Sequence, residues 1–298
     1  MRICWNTKSA VSVFVLVIVA SAIGCRIESP DGVSEHEIRD RHFTDDLGRQ
    51  VLIRKPIQRV ISLAPSLTES IYAVGGGDKL VGVTTYCNYP EVAKAVEEVG
   101  DTQTPNIERI VALKPDVVFV STASQLEAFM RTLDQQGIAV YVMDAKSIGE
   151  VFDDLRTLGG LLGTEGTASA LIEGLDERVK GVISKEPRRV FIQISNEPLF
   201  TIGKDSFLTE VVEKAGGESV TKDVPSGYPK LSKETASVMS PDVIILSDSE
   251  DNREPNAVFK NSPAVKNGRV YRINADIISR PGPRLVDALE QIAGFLHN

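Results

Sequence analysis

Short apolar runs alternate with amphipathic stretches along most of the chain. Runs rich in β-branched residues at 60–63, 80–83, 117–120 and 140–142 are typical of buried strands, which carry apolar residues on both faces. The segments between them have helical spacing and end at breakers: 66–74 before Gly75, 107–113 before Pro115, and 125–136 before Gly137. This alternation predicts an α/β fold, in which helices cover parallel sheets.

The second half of the chain repeats the first. Five residues recur 126 positions later, so that Glu108, Pro115, Asp116, Val117 and Ser121 correspond to Glu234, Pro241, Asp242, Val243 and Ser247. At nearly the same offset, Arg59 and Gly137 correspond to Arg189 and Gly268. The three repeated segments occur in the same order in both halves, which predicts two similar α/β lobes. We assign these lobes to 46–164 and 187–298.

Residues 148–185 lie between the two lobes and contain few helix breakers after Gly166. Their leucines and valines recur at helical spacing, which predicts a helical pair. We expect the second member, over 165–186, to run from one lobe to the other, since twenty helical residues span about 30 Å. A helical connection is stiffer than extended strands, so we expect little domain closure.

The N-terminal segment has the features of an export signal. Arg2 and Lys8 precede an apolar run over 10–23, which is shorter than the roughly 20 residues that span a bilayer. Residues 22–25, Ala-Ile-Gly-Cys, resemble a bacterial lipobox, which implies that 1–24 is removed and that Cys25 is acylated. The alternative is an ordinary signal peptide cleaved near Ala22. The polar residues 25–45 then predict a flexible tether holding a lipid-anchored domain outside the cytoplasm.

Charge and residue usage exclude several functional classes. The chain has 33 Lys and Arg against 41 Asp and Glu, and no basic run, which argues against a nucleic-acid partner. Its three histidines, His36, His42 and His297, lie in the tether or at the domain edges. A catalytic triad or a transition-metal site needs histidine inside the fold. We therefore expect a monomeric binding protein without catalytic residues, cofactor or bound metal ion, and keep an exported α/β hydrolase as the alternative class.

Four segments carry a specific family resemblance: RVISLAPSLTESIYAVG at 59–75, GVTTYCNYP at 82–90, NIERIVALKPDVVFVS at 106–121 and SRPGPRLVDALEQIA at 279–293. Together they resemble the periplasmic-binding family for metal chelates, whose members take cobalamin, haem or ferric siderophores. The resemblance spans about 50–297 and is strongest to the cobalamin binders. It implies two α/β lobes joined by one long helix, a ligand in the cleft, and an ABC importer as partner.

The resemblance also implies which residues contact the ligand. Tyr86 and Tyr228 match pocket aromatics, whose ring faces suit a flat macrocycle. A second loop contains Asp276, Ile277, Ile278, Ser279 and Arg280, and the guanidinium of Arg280 would donate to amide or carboxylate groups at the ligand's rim. The alternatives are that Tyr86 is an ordinary loop residue, that Tyr228 is a turn residue, and that Arg280 is a solvated surface charge.

One departure from the family pattern leaves the ligand open. Cobalamin binders line the cleft with several tryptophans, whereas the single tryptophan here is Trp5, inside the predicted signal. Thr102 and Ile277 stand where aromatic residues are expected. A corrinoid is our leading expectation, and a ferric siderophore or haem is the alternative.

The repeated pair Glu108 and Glu234 predicts a docking surface. In the family, one surface glutamate of each lobe contacts arginines of the two membrane subunits, and such charge pairs set the register of an interface. The alternative is a favourable anion at each helix start, worth about 0.3–1 kcal/mol. That alternative accounts for either glutamate alone but not for their pairing.

Overall fold

The computed structural model describes residues 39–121, 127–182 and 187–297. All the described residues belong to one compact unit, Ile38–Asn298. The predicted signal, Cys25 and most of the predicted tether lie outside them. None of the described helices is both long enough and apolar enough to span a membrane.

The N-terminal lobe contains an antiparallel hairpin and a parallel sheet. The hairpin is β1 (Arg39–Thr44) and β2 (Gln50–Lys55). The sheet has the order β4-β3-β5-β6 and consists of β3 (Val60–Ser62), β4 (Leu80–Val83), β5 (Val117–Val120) and β6 (Ala139–Val142). Its helices are α1 (Pro65–Ala73), α2 (Ile107–Ala112) and α3 (Glu127–Gln135). The strands predicted from the apolar runs are confirmed.

Two helices lead out of this lobe: α4 (Ile148–Leu162) and α5 (Glu165–Gly181). Between them Gly163 has a left-handed backbone, φ 73°, which favours glycine and ends α4. The 17 residues of α5 span about 26 Å. Its C-cap, Val182, is already extended, so the connecting helix ends earlier than the predicted residue 186.

The C-terminal lobe repeats the parallel sheet, with the order β11-β10-β7 followed by β8, and with β9 also on β7. Its strands are β7 (Arg188–Ser195), β8 (Phe200–Thr201), β9 (Gly217–Ser219), β10 (Val243–Asp248) and β11 (Val270–Asn274). Its helices are α6 (Phe207–Lys214), α7 (Lys233–Ser237), α8 (Pro263–Lys266), α9 (Ala275–Ser279) and α10 (Leu285–His297). Arg178 of α5 forms ion pairs with Asp287 and Glu290 of α10, both at 2.6 Å, so the connecting helix is fastened to this lobe.

The sequence repeat has a direct structural counterpart. The Asp116 carboxylate accepts a hydrogen bond from the backbone N–H of Arg59 at 2.8 Å, and the Asp242 carboxylate accepts the equivalent bond from Arg189 at 3.2 Å. The two arginine side chains donate to equivalent carbonyls, of Leu113 at 2.8 Å and Met239 at 2.7 Å. The repeated residues therefore hold the same strand ends together in each lobe, and the predicted pair of similar lobes is confirmed.

The central strands of the two parallel sheets are buried on both faces. All four residues of β5 are buried, with Val117 and Phe119 in the large cluster that also includes α4 and α10, and Val118 and Val120 in a separate N-lobe cluster. The C-terminal lobe likewise has its own outer cluster around Phe191 and Phe259, whose rings lie 4.5 Å apart. This two-sided burial explains why the strand sequences lack an alternating polar pattern.

The predicted boundary of the tether was wrong. Residues 39–44 form β1, which pairs along its whole length with β2, although the tether was expected to extend to residue 45. The turn of this hairpin is fixed by the buried carboxylate of Asp45, which accepts from the backbone N–H of Arg49 at 2.9 Å and pairs with its guanidinium at 2.6 Å. A polar composition suggested disorder, but these polar groups bond to one another across the hairpin.

Candidate functional site

A cavity of about 600 Å³ lies between the two lobes. Its N-lobe wall comes from segments that follow β3, β4, β5 and β6, and its C-lobe wall includes segments that follow β8, β9 and β11. The N-lobe strands are parallel, so their carboxyl ends meet at one edge of the sheet, which is where α/β folds place ligand sites. The cleft implied by the family resemblance is therefore present.

Five of the seven predicted ligand-contacting residues line this cavity. Tyr86 comes from the N-terminal lobe and is 56% exposed, and Tyr228 comes from the C-terminal lobe and is 42% exposed. Asp276, Ser279 and Arg280 line the C-lobe wall. Two partly exposed aromatic rings thus border the space from opposite lobes.

The other two predicted residues do not line the cavity. Ile278 has no exposed surface and belongs to the large hydrophobic cluster, which corrects the expectation of a ligand contact. Ile277 is partly buried and packs against the same cluster. The physical reason is that α9 is helical, so successive residues point in different directions and only part of the loop faces the cleft.

Sequence reasoning missed several residues of the wall. Phe207, at the start of α6, lines the cavity although most of its surface is buried. A possible signal was Ser206, which caps α6 by accepting from the backbone N–H of Leu208. Lys146 also lines the cavity, and its hydrogen bond to Asp144 raises the pKa of its ammonium group. Apolar residues at helix starts usually belong to the core, so the apolar character of Phe207 did not distinguish it from a core residue.

A network of charged groups joins the lobes beside the cavity. The Glu69 carboxylate of α1 is 1% exposed and accepts hydrogen bonds from two arginines of the other lobe. Its Oε1 accepts from Arg280 Nη1 at 2.8 Å and from Arg284 Nη2 at 2.6 Å, and its Oε2 accepts from Arg284 Nε at 2.7 Å. Arg284 also lies 4.1 Å from the centre of the Tyr89 ring, a cation–π contact.

Arg280 connects this pair to the loop that carries Tyr86. Its Nη1 also donates to Asn88 Oδ1 at 2.8 Å, and its Nη2 donates to Asp276 Oδ1 at 2.6 Å and to the Tyr86 carbonyl at 3.4 Å. Asn88 Nδ2 in turn donates to Asp276 Oδ2 at 2.8 Å. A guanidinium has five N–H groups, and four of them are engaged here. The expected donation from Arg280 to a ligand is thus restricted to Nε–H, and most of its bonding capacity holds protein groups.

Glu108 and Glu234 occupy equivalent exposed positions away from the cavity lining. Each is the second residue of its short helix, α2 or α7. The capping side chains are equivalent too: Asn106 accepts from the N–H of Arg109, and Ser232 accepts from the N–H of Thr235, both at 3.0 Å. Hydrogen bonds from its own backbone N–H and from the Ser232 hydroxyl lower the pKa of Glu234.

Within the ranges that the structure describes, no group of three or more His, Cys, Asp or Glu side chains is arranged to hold a metal ion. Cys87 is buried and accepts from the Thr68 hydroxyl at 3.1 Å. The lining of the cleft presents the rings of Tyr86 and Tyr228 and several polar groups, which suit an organic molecule.

Comparison with known proteins gives a consistent result. A family model described as periplasmic binding protein matches residues 60–277. The chain is 35% identical over 267 residues to an uncharacterized ABC transporter substrate-binding lipoprotein, YvrC, of Bacillus subtilis (strain 168), covering 85% of this chain and 84% of that protein. It is 34% identical over 247 residues to a vitamin B12-binding protein of Vibrio cholerae (strain O395), and the match covers 81% of this chain and 90% of that protein.

The fold comparison agrees with the sequence comparison. The crystal structure of the periplasmic vitamin B12-binding protein BtuF of Vibrio cholerae superposes with a TM-score of 0.71 and 32% sequence identity. The match covers 81% of this chain and 97% of that one.

Proposed function

The chain belongs to the periplasmic binding protein family, and from this premise we propose that it captures a corrinoid and delivers it to an ABC importer. Its relatives are substrate-binding proteins of transport systems, so the chain is a binding protein and not an enzyme. The finer assignment concerns the ligand, the anchor and the docking residues.

One observation carries the ligand assignment: Tyr86 and Tyr228 border a cavity of about 600 Å³ from opposite lobes. Tyrosine rings offer a flat apolar face and a polar hydroxyl, which suits a macrocycle with amide groups at its edge. Ser66, Asp276 and Ser279 supply polar groups on the same walls. The Vibrio cholerae relatives are vitamin B12-binding proteins, which supports a corrinoid over other chelates.

The test is a titration of the purified full-length chain in detergent with cyanocobalamin, cobinamide, haemin and a ferric siderophore. We expect saturable binding of the two corrinoids, measured by calorimetry, and weaker binding of the other two. Binding of haemin or the siderophore alone would overturn the corrinoid assignment and leave the family unchanged.

The proposed anchor is Cys25, since one relative is named a lipoprotein and residues 22–25 resemble a lipobox. Metabolic labelling with a radioactive fatty acid tests it. The wild-type chain should incorporate the label and sediment with membranes, whereas Cys25→Ser should do neither. Label incorporation by Cys25→Ser would contradict the anchor. Cys87→Ser is the matched control, because that thiol is buried inside the domain.

A further inference from the structure

We propose that Glu69 and Asn88 are positioning residues for the ligand cleft, which act by fixing the Tyr86 loop against the C-terminal lobe through Arg280. Neither residue lines the cavity. This inference rests on the proposed function, because it concerns the same cleft.

The contacts form one continuous chain across the cleft. It runs from Glu69 to Arg280 at 2.8 Å, from Arg280 to Asn88 at 2.8 Å, and from Asn88 to Asp276 at 2.8 Å. Glu69 and Asn88 belong to the N-terminal lobe, whereas Arg280 and Asp276 belong to the other. Every one of these three bonds therefore crosses between the lobes, and the Tyr86 carbonyl joins them through Arg280.

The charges of this network balance only with Glu69 present. Arg280 and Arg284 donate to the same oxygen, Glu69 Oε1, so their guanidinium groups are close neighbours. Their side chains are 11% and 18% exposed, and water screens their mutual repulsion poorly. Removal of the Glu69 charge would leave two facing cations, with Asp276 as the remaining carboxylate in contact with Arg280.

Stability alone is a weak reason for such a network. Buried ion pairs lose hydration on folding, and apolar residues of similar volume often stabilise a fold as well. Hydrogen bonds are directional, so they fix the relative placement of the groups they join more strictly than apolar packing does. Here the groups are the loop bearing Tyr86 and the loop bearing Ser279, which are opposite walls of the cavity.

The backbone at this junction is also closely fitted. A Cβ on Gly282 would lie 3.4 Å from the carbonyl oxygen of Ser66 in α1, at the lower edge of ordinary van der Waals contact. The chain between Arg280 and Arg284 thus lies directly against α1, with an arginine at each end bound to Glu69. A displacement of either loop would break several of these bonds at once.

The decisive experiment is a double-mutant cycle with Asn88→Ala and Tyr86→Ala, read by cyanocobalamin affinity and dissociation rate. Asn88 is exposed, so Asn88→Ala should leave the melting temperature nearly unchanged. We expect it to weaken binding roughly 3- to 10-fold, mainly through faster dissociation, within the range found for residues coupled by contact. In the Tyr86→Ala background the same substitution should have almost no effect, because the ring that it positions is absent.

Arg178→Ala is the matched control. It removes another set of ion pairs, to Asp287 and Glu290, that does not border the cavity, so affinity should stay as in the wild type. Independent, additive losses from Asn88→Ala and Tyr86→Ala would overturn the positioning role. Unchanged affinity in Asn88→Ala would overturn it as well.

A second measurement needs no ligand and separates this inference from the proposed function. Hydrogen exchange of the ligand-free protein should show faster exchange over 84–90 in Asn88→Ala and in Glu69→Gln than in the wild type. If the wild type binds no cyanocobalamin, the proposed function fails while exchange still tests the network. Unchanged exchange over 84–90 in both variants would overturn the inference, whichever ligand binds.

Discussion

Lys114 and Ser240 stand 126 positions apart and share a left-handed backbone conformation, with φ of 47° and 42°. Each residue precedes the repeated Pro-Asp pair and follows the equivalent helix, α2 or α7. A residue with a Cβ atom pays about 1–2 kcal/mol in this region. The strain has been retained in both lobes, which identifies the helix-to-strand turn as a repeated structural unit.

Relief of this strain should stabilise the protein. Lys114→Gly and Ser240→Gly should each raise the free energy of unfolding by up to about 1 kcal/mol, because glycine adopts positive φ without a steric penalty but has more freedom when unfolded. Urea denaturation would measure the change. Lys114→Ala keeps the Cβ atom and should give no gain; a gain equal to that of glycine would show that the backbone is not the cause.

Replacement of Tyr86 should weaken ligand binding without loss of the fold. Its side chain is 56% exposed in the cleft, so Tyr86→Ala should leave the melting temperature nearly unchanged. Loss of an aromatic contact costs about 0.5–1.5 kcal/mol of binding free energy, in addition to the contribution of the buried surface area. Tyr86→Phe keeps the ring and should keep most of the affinity. Calorimetric titration with cyanocobalamin would measure both. Val92→Ala, at another exposed apolar residue outside the cavity, is the control; equal affinity of wild type and Tyr86→Ala would exclude the residue from the site.

Replacement of Glu108 and Glu234 should separate capture from delivery. Both lie outside the cavity lining, so the double alanine variant should bind ligand in solution as the wild type does. Uptake into cells should fall steeply, since each lost charge leaves a partner arginine unpaired, at about 2–5 kcal/mol if that pair is buried. Glu97→Ala, an exposed glutamate outside the repeat, is the control. Normal uptake by the double variant would exclude the docking role and leave both glutamates as ordinary helix-start residues.

Asp154 should make stability depend on pH. Burial, reinforced by the carboxylates of Asp46 and Glu150, raises the pKa of Asp154 from its ordinary value of 3.8 to about 8. Between about pH 4 and pH 8 the folded state therefore holds a proton that the unfolded state has released, and stability falls as the pH rises through this window.

Asp154→Asn should abolish this dependence. At pH 8 the variant should be more stable than the wild type by several kcal/mol, since each unit of pKa shift corresponds to about 1.4 kcal/mol. The difference should shrink at pH 5, as measured by urea denaturation at both values. Asp153→Asn alters the exposed neighbouring carboxylate, which pairs with Arg156, and should show no such trend. An equal difference between Asp154→Asn and the wild type at both pH values would contradict the raised pKa.

Much of the architecture could be predicted from local patterns. The apolar runs at 117–120 and 140–142 became β5 and β6, because a strand that is buried on both faces must be apolar throughout. The repeat of Asp116 and Asp242 predicted two similar lobes, since equal local sequence forms equal local hydrogen bonds. The hairpin at 39–55 was missed, because its polar residues meet partners far away in the sequence: Arg49 Nη2 donates to the Val140 carbonyl of β6 at 3.0 Å, across 91 positions.

The site residues also fall into those that local sequence predicts and those that depend on long-range packing. Tyr86, Tyr228 and Arg280 could be identified as candidate ligand contacts before the fold was known, because a family motif is a local property of the chain. The folded chain was needed to show that Ile278 belongs to the core, that Phe207 borders the cleft, and that Arg280 is bound to Glu69. Glu69 and Arg280 are separated by 211 positions, and no local pattern specifies their contact. Their meeting follows from the packing of the two lobes, in which a buried carboxylate must find a cation and finds it across the cleft.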